Sequence, residues 1–243
     1  MIEYLQWDSD FFCKKIYKAS IDTHQQTTSY YDVIISELIE AGAEGAYLML
    51  DTEDKLWEAK LRSKGLVCID NKVMFTKILN ADDSYSSCKE IERYSGELNT
   101  DLVCLAYEAG MFSRFKLDKK LNPKFEDMYY IWIKNSVAGL LADLLLVYKS
   151  AGKIEGMITG KIHNGKAVIG LVAASKTFQG KGVGTKLILA AESAWLKCGI
   201  QKIEVATQKA NIEAMKFYIR RGYKIKAITP IYHIWFKKND YTI

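Results

Sequence analysis

Proline is nearly missing from this chain, with only Pro123 and Pro230 among 243 residues. Sixteen glycines without a repeating period, and no Ser/Pro-rich or low-complexity tract, exclude collagenous and disordered classes and predict a compact chain throughout. Cysteine is scarce and odd in number. Cys13, Cys68, Cys88, Cys104 and Cys198 form no C-x-x-C pair and stand near no histidine at metal-ligand spacing. A disulfide framework and a zinc site are thereby excluded, no metal is expected, and most of these thiols are expected to be buried as small hydrophobes. Long apolar runs are absent too: Ala138 to Ala142 and Leu144 to Val147 are broken by Asp143, far short of a membrane span. The first residues include Glu3 and Asp8 and show no basic segment followed by an apolar run, so a cytoplasmic protein is expected rather than a secreted one. Charge is not of one sign. The net +5 comes from interleaved acids and bases, which suits an anionic ligand modestly and argues against a nucleic-acid stripe. The Lys-Lys pairs at 14, 119 and 237 read as solvated surface.

A 49% hydrophobic content in this length fills the core of one large or two small domains. The polar stretch Asn80 to Ser87 is the natural linker, dividing the chain into 1–85 and 86–243. In the second part, Leu102, Leu105, Ala106, Ala109 and Phe112 fall at helical spacing. Asn122-Pro123 reads as an N-cap with a first-turn proline ahead of an aromatic-rich helix carrying Phe125, Met128, Tyr129, Trp132, Ile133 and Val137, with a core role for Tyr129 and Trp132. Leu144 to Tyr148, Gly156 to His163 and Ala167 to Ala173 read as an antiparallel meander, the last two joined by the hairpin signal Asn164-Gly165. A glycine-rich loop follows, then a helix through Leu187, Ile188, Ala191 and Trp195 closed by Gly199. Beyond it come strand Ile203 to Thr207, a helix from Ile212 to Arg221 closed by Gly222, and two strands, Tyr223 to Ile228 and Ile231 to Phe236, with Pro230 in the turn between them. In the first part, strand Tyr47 to Leu50, a helix ending Leu61 to Gly65 and strands around Val67 and Phe75 echo that C-terminal order without its glycine loop.

The loop Gln179-Gly180-Lys181-Gly182-Val183-Gly184, with Thr185 opening the helix, carries the chemistry. Glycines between a strand and a helix let backbone N–H groups approach an anion, and the helix N-terminus adds partial positive charge, so the arrangement is a diphosphate cradle. A dinucleotide fold would need G-x-G-x-x-G in a parallel crossover, and a P-loop would need Gly-Lys-Ser/Thr. Gly184-Thr185-Lys186 has the wrong order and the preceding strand belongs to a meander.

Q-x-x-G-x-G after a hairpin strand, together with Ile169 to Ala173, Asn211 and Tyr218, resembles the acyl-CoA loop and its surroundings in the GCN5-related N-acetyltransferase superfamily. That resemblance implies an α/β (α+β) fold whose mixed, mostly antiparallel central sheet is flanked by helices, joined here to a smaller N-terminal α/β domain like a partial half. It also implies acetyl-CoA as co-substrate. Trp7 to Phe12, Ser113-Arg114-Phe115, Ile131 to Val137, Val205 to Gln208 and Tyr218 to Gly222 further resemble the bacterial TDP-fucosamine acetyltransferase family. This implies a nucleotide-linked amino sugar of the 4-amino-4,6-dideoxygalactose type as partner, surface polysaccharide as the destination, and a homodimer; no nucleic acid or membrane partner is expected.

Acetyl transfer from a thioester needs a neutral amine, a donor for the developing oxyanion and a proton for the departing thiolate. Backbone groups of Leu171, Val172 and Ala173 would hold the pantetheine arm beside the loop from Gln179 through Gly180, Lys181, Gly182, Val183, Gly184 and Thr185. Tyr218 is the candidate acid, in the position where the resemblance also puts one. Asn211 either binds the cofactor arm or caps the helix that follows it. No motif selects a general base: His24, His163 and His233 are candidates by type alone, and an amine of pKa near 8 needs none. Arg114 could meet a phosphate, and Trp132, Tyr129 and Tyr130 could stack on a base or sugar, although helical spacing favours a core role for Trp132 and Tyr129. Another amine, such as a protein N-terminus, polyamine or antibiotic, and a non-catalytic acyl-CoA sensor are the alternatives.

Overall fold

The computed structural model describes residues 2–80 and 88–237. The chain forms two compact units: one gathers residues up to Val73 with Gln208–Ala210 and those from Ala227 on, the other holds Met74–Thr207 and Asn211–Lys226. The division falls inside three strands rather than in the Asn80 to Ser87 stretch, most of which lies outside the described residues, so the units differ from a cut between 85 and 86. Pairing across long sequence separations, not local punctuation, decides where contacts concentrate.

The first unit is built from β1 (Ile2–Tyr4), α1 (Gln6–Phe12), β2 (Ile16–Ile21), α2 (Tyr30–Glu40), β3 (Gly45–Leu50), α3 (Lys55–Ser63), the start of β4 (Cys68–Ile78) and most of β10 (Lys224–Trp235). β1 pairs antiparallel with β2, β2 parallel with β3, and β10 antiparallel with β3 from Ile231↔Met49 to Trp235↔Gly45. β10 is one strand, where the sequence suggested two around a turn at Pro230. The proline stands just before the first residue of the β3 ladder, where a missing N–H removes no bond of that ladder. α3 starts where Asp54 accepts the Trp57 N–H at 2.9 Å. Ile34, Leu38, Leu48, Trp57, Leu61 and Tyr232 share the core. β4 likewise runs unbroken, and Val67, expected in a strand, lies outside it and exposed.

The second unit contains β5 (Ile91–Arg93), α4 (Thr100–Gly110), α5 (Arg114–Leu117), α6 (Phe125–Val137), β6 (Leu144–Ser150), β7 (Lys153–His163), β8 (Lys166–Ala174), α7 (Val183–Lys197), β9 (Lys202–Gln208) and α8 (Ile212–Arg220). Its strands lie in the order β9-β8-β7-β6-β5. The β7–β8 hairpin turns on Asn164 at φ 49° and Gly165 at φ 71°, the two positive values that suit a tight hairpin to the twist of its strands. Glycines on β7 let α7 close in: a methyl on Gly156 would lie 2.6 Å from Val183, and one on Gly160 2.4 Å from the Trp195 ring. The aromatic helix does not begin at Asn122. Asn122–Lys124 forms a 3-10 turn, and the Asn122 amide donates to the Lys116 carbonyl instead of capping. The cysteines also depart from expectation: Cys13, Cys104 and Cys198 are exposed, and Cys68 and Cys88 are partly buried. Cys13 and Cys198 sit at helix C-caps, where the chain turns outward. Among the described residues no helix is long and apolar enough to cross a membrane.

Candidate active site

β8 sets the site. It pairs parallel with β9 from Lys166↔Lys202 only as far as Ile169↔Val205, yet both strands continue. From Gly170 to Ala174 β8 keeps only its β7 partner. A bulge begins the divergence. Between Ile158↔Val172 and Gly160↔Ile169, the single residue Thr159 of β7 faces both Gly170 and Leu171 of β8. An extra residue in one strand increases its local twist and bends it from its neighbour. The surplus amide is satisfied internally, because Leu171 N–H donates to the buried Thr159 Oγ1 at 2.8 Å. The strand edge from 170 to 174 therefore borders a gap in the sheet.

That edge runs into the glycine loop. Phe178 and Gln179 N–H groups both donate to the Ser175 carbonyl, at 2.8 and 2.9 Å, coiling the chain toward Gly180 and Gly182. These two residues have φ of 75° and 82°, which side-chain-bearing residues rarely adopt, and a methyl on either would meet no atom within 4 Å. Gly182 is also the N-cap of α7 and offers no side-chain cap. The first α7 amide to turn back is that of Lys186, to Gly182 O at 3.1 Å, so the N–H groups of Val183, Gly184 and Thr185 have no intrahelical acceptor. Val183 itself is core, 2% exposed, its side chain packed toward Gly156 of β7. Lys181 lies with its ammonium 5.0 Å from the Phe178 ring, and Gln179 Nε2 donates to the Ala174 carbonyl at 3.3 Å.

α8 closes on this helix end. A methyl on Gly184 would lie 3.5 Å from the Phe217 ring, so the residue before Tyr218 sits beside the first turn of α7. Tyr218 is 5% exposed, with its ring 5.5 Å from those of Phe75 and Tyr223. Burial raises its phenol above the usual tyrosine range, so it stays protonated, and its hydroxyl has no hydrogen-bond partner among the described residues. Tyr223 is anchored by its hydroxyl to Glu192 Oε1 at 2.8 Å, and Lys77 Nζ holds Glu192 Oε2 at 2.8 Å. Asn211 Oδ1 accepts the Ala214 N–H at 3.1 Å, the capping role foreseen as one of its two alternatives.

The remaining candidates stand elsewhere. Arg114 is on α5, its guanidinium 4.2 Å from the Phe115 ring centre, and Tyr130 is exposed on α6. His24 and His233 belong to the first unit, the latter 4.7 Å from the Tyr47 ring. His163 closes β7 at the hairpin, at the opposite end of nine-residue β8 from the loop and thus roughly 25 Å away. Among the described residues no His, Cys, Asp and Glu group is arranged to hold a metal. One neighbour of the bulge, Thr159, was not singled out by sequence; the other, Trp132, which sequence reads as a core aromatic or a stacking surface for the acceptor, has its Nε1 3.9 Å from where a methyl on Gly170 would be.

Residues 111–223 match the family model described as Acetyltransferase (GNAT) family, and the fold is GNAT-like. A GCN5-related N-acetyltransferase from Sphaerobacter thermophilus superposes with a TM-score of 0.63 at 13% identity, covering 96% of this chain and 76% of that one. Spore coat polysaccharide biosynthesis protein SpsD of Bacillus subtilis (strain 168) is 24% identical over 139 residues, 56% of this chain and 48% of that protein. An uncharacterized N-acetyltransferase of Methanocaldococcus jannaschii is 31% identical over 85 residues, 34% of this chain and 53% of its own. The chain thus spans about half the length of the curated relatives it matches.

Proposed function

We propose that this protein is an N-acetyltransferase that moves acetyl from acetyl-CoA to the amine of a nucleotide-linked amino sugar of the 4-amino-4,6-dideoxygalactose type, for surface polysaccharide synthesis. One observation carries the acetyl-CoA half: the strand edge freed where β8 leaves β9 runs directly into an uncapped helix N-terminus behind two left-handed glycines. This suits a ligand with a diphosphate at one end and a thin, amide-bearing arm at the other. Bound acetyl-CoA supplies an acyl group activated as a thioester. Amides of Val183, Gly184 and Thr185, with Gly180, Lys181 and Gly182 alongside, hold its diphosphate. Backbone groups of Leu171, Val172 and Ala173 align the arm, with the Leu171 N–H excepted because Thr159 already takes it. Tyr218 keeps a proton on its hydroxyl and gives it to the sulfur as the thiol leaves. An amine of pKa near 8 is partly neutral at pH 7, so no dedicated base is required.

The acceptor half is supported by the sequence resemblance and by the name of SpsD, which is said to act in polysaccharide biosynthesis. Arg114 and Tyr130 are assigned to it, with a cytoplasmic homodimer as the working form. The test is incubation with acetyl-CoA and a panel of TDP- and UDP-amino sugars, following thiol release and product mass. Acetylation of a 4-amino sugar nucleotide is expected. Activity on peptide or polyamine alone rejects the acceptor, and absence of thiol release with every amine rejects acetyl transfer.

A further inference from the structure

We infer that the indole N–H of Trp132 reads the acceptor, donating a hydrogen bond to an oxygen carried next to the amine that is acetylated. The inference rests on acetyl transfer along β8 and adds which chemical neighbour of the amine the site selects.

Gly170 is the point of departure. It stands in the bulge where β8 leaves β9, four residues before the strand end that enters the glycine loop and hence about 13 Å from it. A ligand with its diphosphate at the start of α7 and its arm along β8 ends here. Although inside a strand of a folded core, Gly170 is exposed. A methyl built on it would lie 2.9 Å from Thr159 Oγ1 and 3.9 Å from Trp132 Nε1, and no other atom outside its immediate neighbours comes within 4 Å. Glycine therefore leaves a shallow recess, too tight for a methyl against Thr159 Oγ1, floored by a threonine whose hydroxyl is already committed to Leu171 and walled by an indole N–H.

That N–H is both available and held still. Trp132 is only partly buried, and among the described residues its indole has no acceptor. Its ring stacks on Tyr129 with centroids 5.5 Å apart and planes at 28°. Tyr129 is 5% exposed and is seated because Gly110 has no side chain, a methyl there falling 2.4 Å from the phenol ring. The Trp132 carbonyl accepts Ser136 Oγ at 2.9 Å, so the helical turn is tied as well. A rigid donor facing a recess at the acyl end of the slot selects an amine flanked by a hydroxyl or other oxygen acceptor, as in an amino sugar, over its deoxy counterpart.

The experiment compares kcat/KM for an amino sugar bearing a hydroxyl beside its amine with that for the same sugar lacking the hydroxyl. Wild type should favour the first by about tenfold, the discrimination expected of one neutral hydrogen bond. Trp132→Phe keeps an aromatic ring at the position and removes the donor. It should abolish that preference while leaving the KM for acetyl-CoA and the melting temperature unmoved, whereas Trp132→Leu should also lower the melting temperature. A preference that persists in Trp132→Phe, or a wild type that never shows it, overturns the inference while acetyl transfer stands; a wild type that acetylates no amine removes both. Should Trp132→Phe fail to fold, the assigned indole resonance of Trp132 in the wild type with coenzyme A decides. A shift on adding the hydroxylated sugar but not the deoxy sugar supports the contact, and an unmoved resonance refutes it.

Discussion

A phenol serves as an acid only while it holds its proton; Tyr218 would hold it at neutral pH even at the ordinary tyrosine value, and burial, without a charged neighbour, extends that state to higher pH. Tyr218→Phe leaves the aromatic packing against Phe75 and Tyr223 in place and removes only the hydroxyl. Turnover should fall at least about tenfold with acetyl-CoA affinity nearly unchanged; equal turnover in steady-state assays takes Tyr218 out of the mechanism. The same burial sets a pH dependence. With its folded pKa raised above the unfolded value near 10, the group binds a proton in the native state that the unfolded chain releases above that pH. Stability is thus unaffected by Tyr218 below about pH 10 and declines as pH rises beyond it, in the same direction as Tyr223, which burial and Glu192 also raise. A melting temperature that falls less steeply above pH 10 in Tyr218→Phe than in wild type is the expected result, and parallel curves contradict it.

α7 joins two demands, an open N-terminus and a buried charge in its middle. At the first, Gly182→Ala forces a left-handed φ on a side-chain-bearing residue at a strain of about 1–2 kcal/mol. The loop should relax out of its cradle shape, raising the KM for acetyl-CoA severalfold in initial-rate measurements while the acceptor KM holds. At the second, Glu192 is 1% exposed and receives both Lys77 and the Tyr223 hydroxyl. Glu192→Leu strands a lysine and a phenol and should cost about 3–5 kcal/mol in denaturant unfolding, much of it recovered by adding Lys77→Met. The two ends of this helix differ in how far they were legible. Gly180, Gly182 and the spacing of Leu187, Ile188, Ala191 and Trp195 announce the loop and the buried stripe, because positive φ and helical period are local properties. Glu192 on that stripe gives no local sign that Lys77, 115 positions earlier, will neutralise it. The bulge is silent for the same reason: Thr159 looks like any strand threonine until its partner strand carries one residue too many. Trp132 fits a core stripe by spacing, and only the glycine opposite reveals its exposed edge.

At the scale of the whole chain, the sequence shows where strands begin and end but not which unit they join. A proline near the C-terminus reads as a turn, yet β10 continues through it and carries Tyr232 and Ile234 back into a core otherwise made by residues 19–61. The first unit is therefore incomplete until residues beyond 227 are present, a closure over roughly 180 positions that slows folding by its loop entropy. A chain stopped after Lys226 loses three buried hydrophobic side chains, Ile231, Tyr232 and Ile234, worth on the order of 1.5–3 kcal/mol each, together with the ladder from Ile231↔Met49 to Trp235↔Gly45. β3 is then left with β2 alone, presenting the row Gly45 to Leu50 as an unpaired edge. Hydrogen exchange on this truncated chain should show protection lost at Ala46 and Leu48, and concentration-dependent association should follow from the open edge. Native-like protection at both amides would mean that the core formed by Ile34, Leu38, Leu48, Trp57 and Leu61 holds without its last strand.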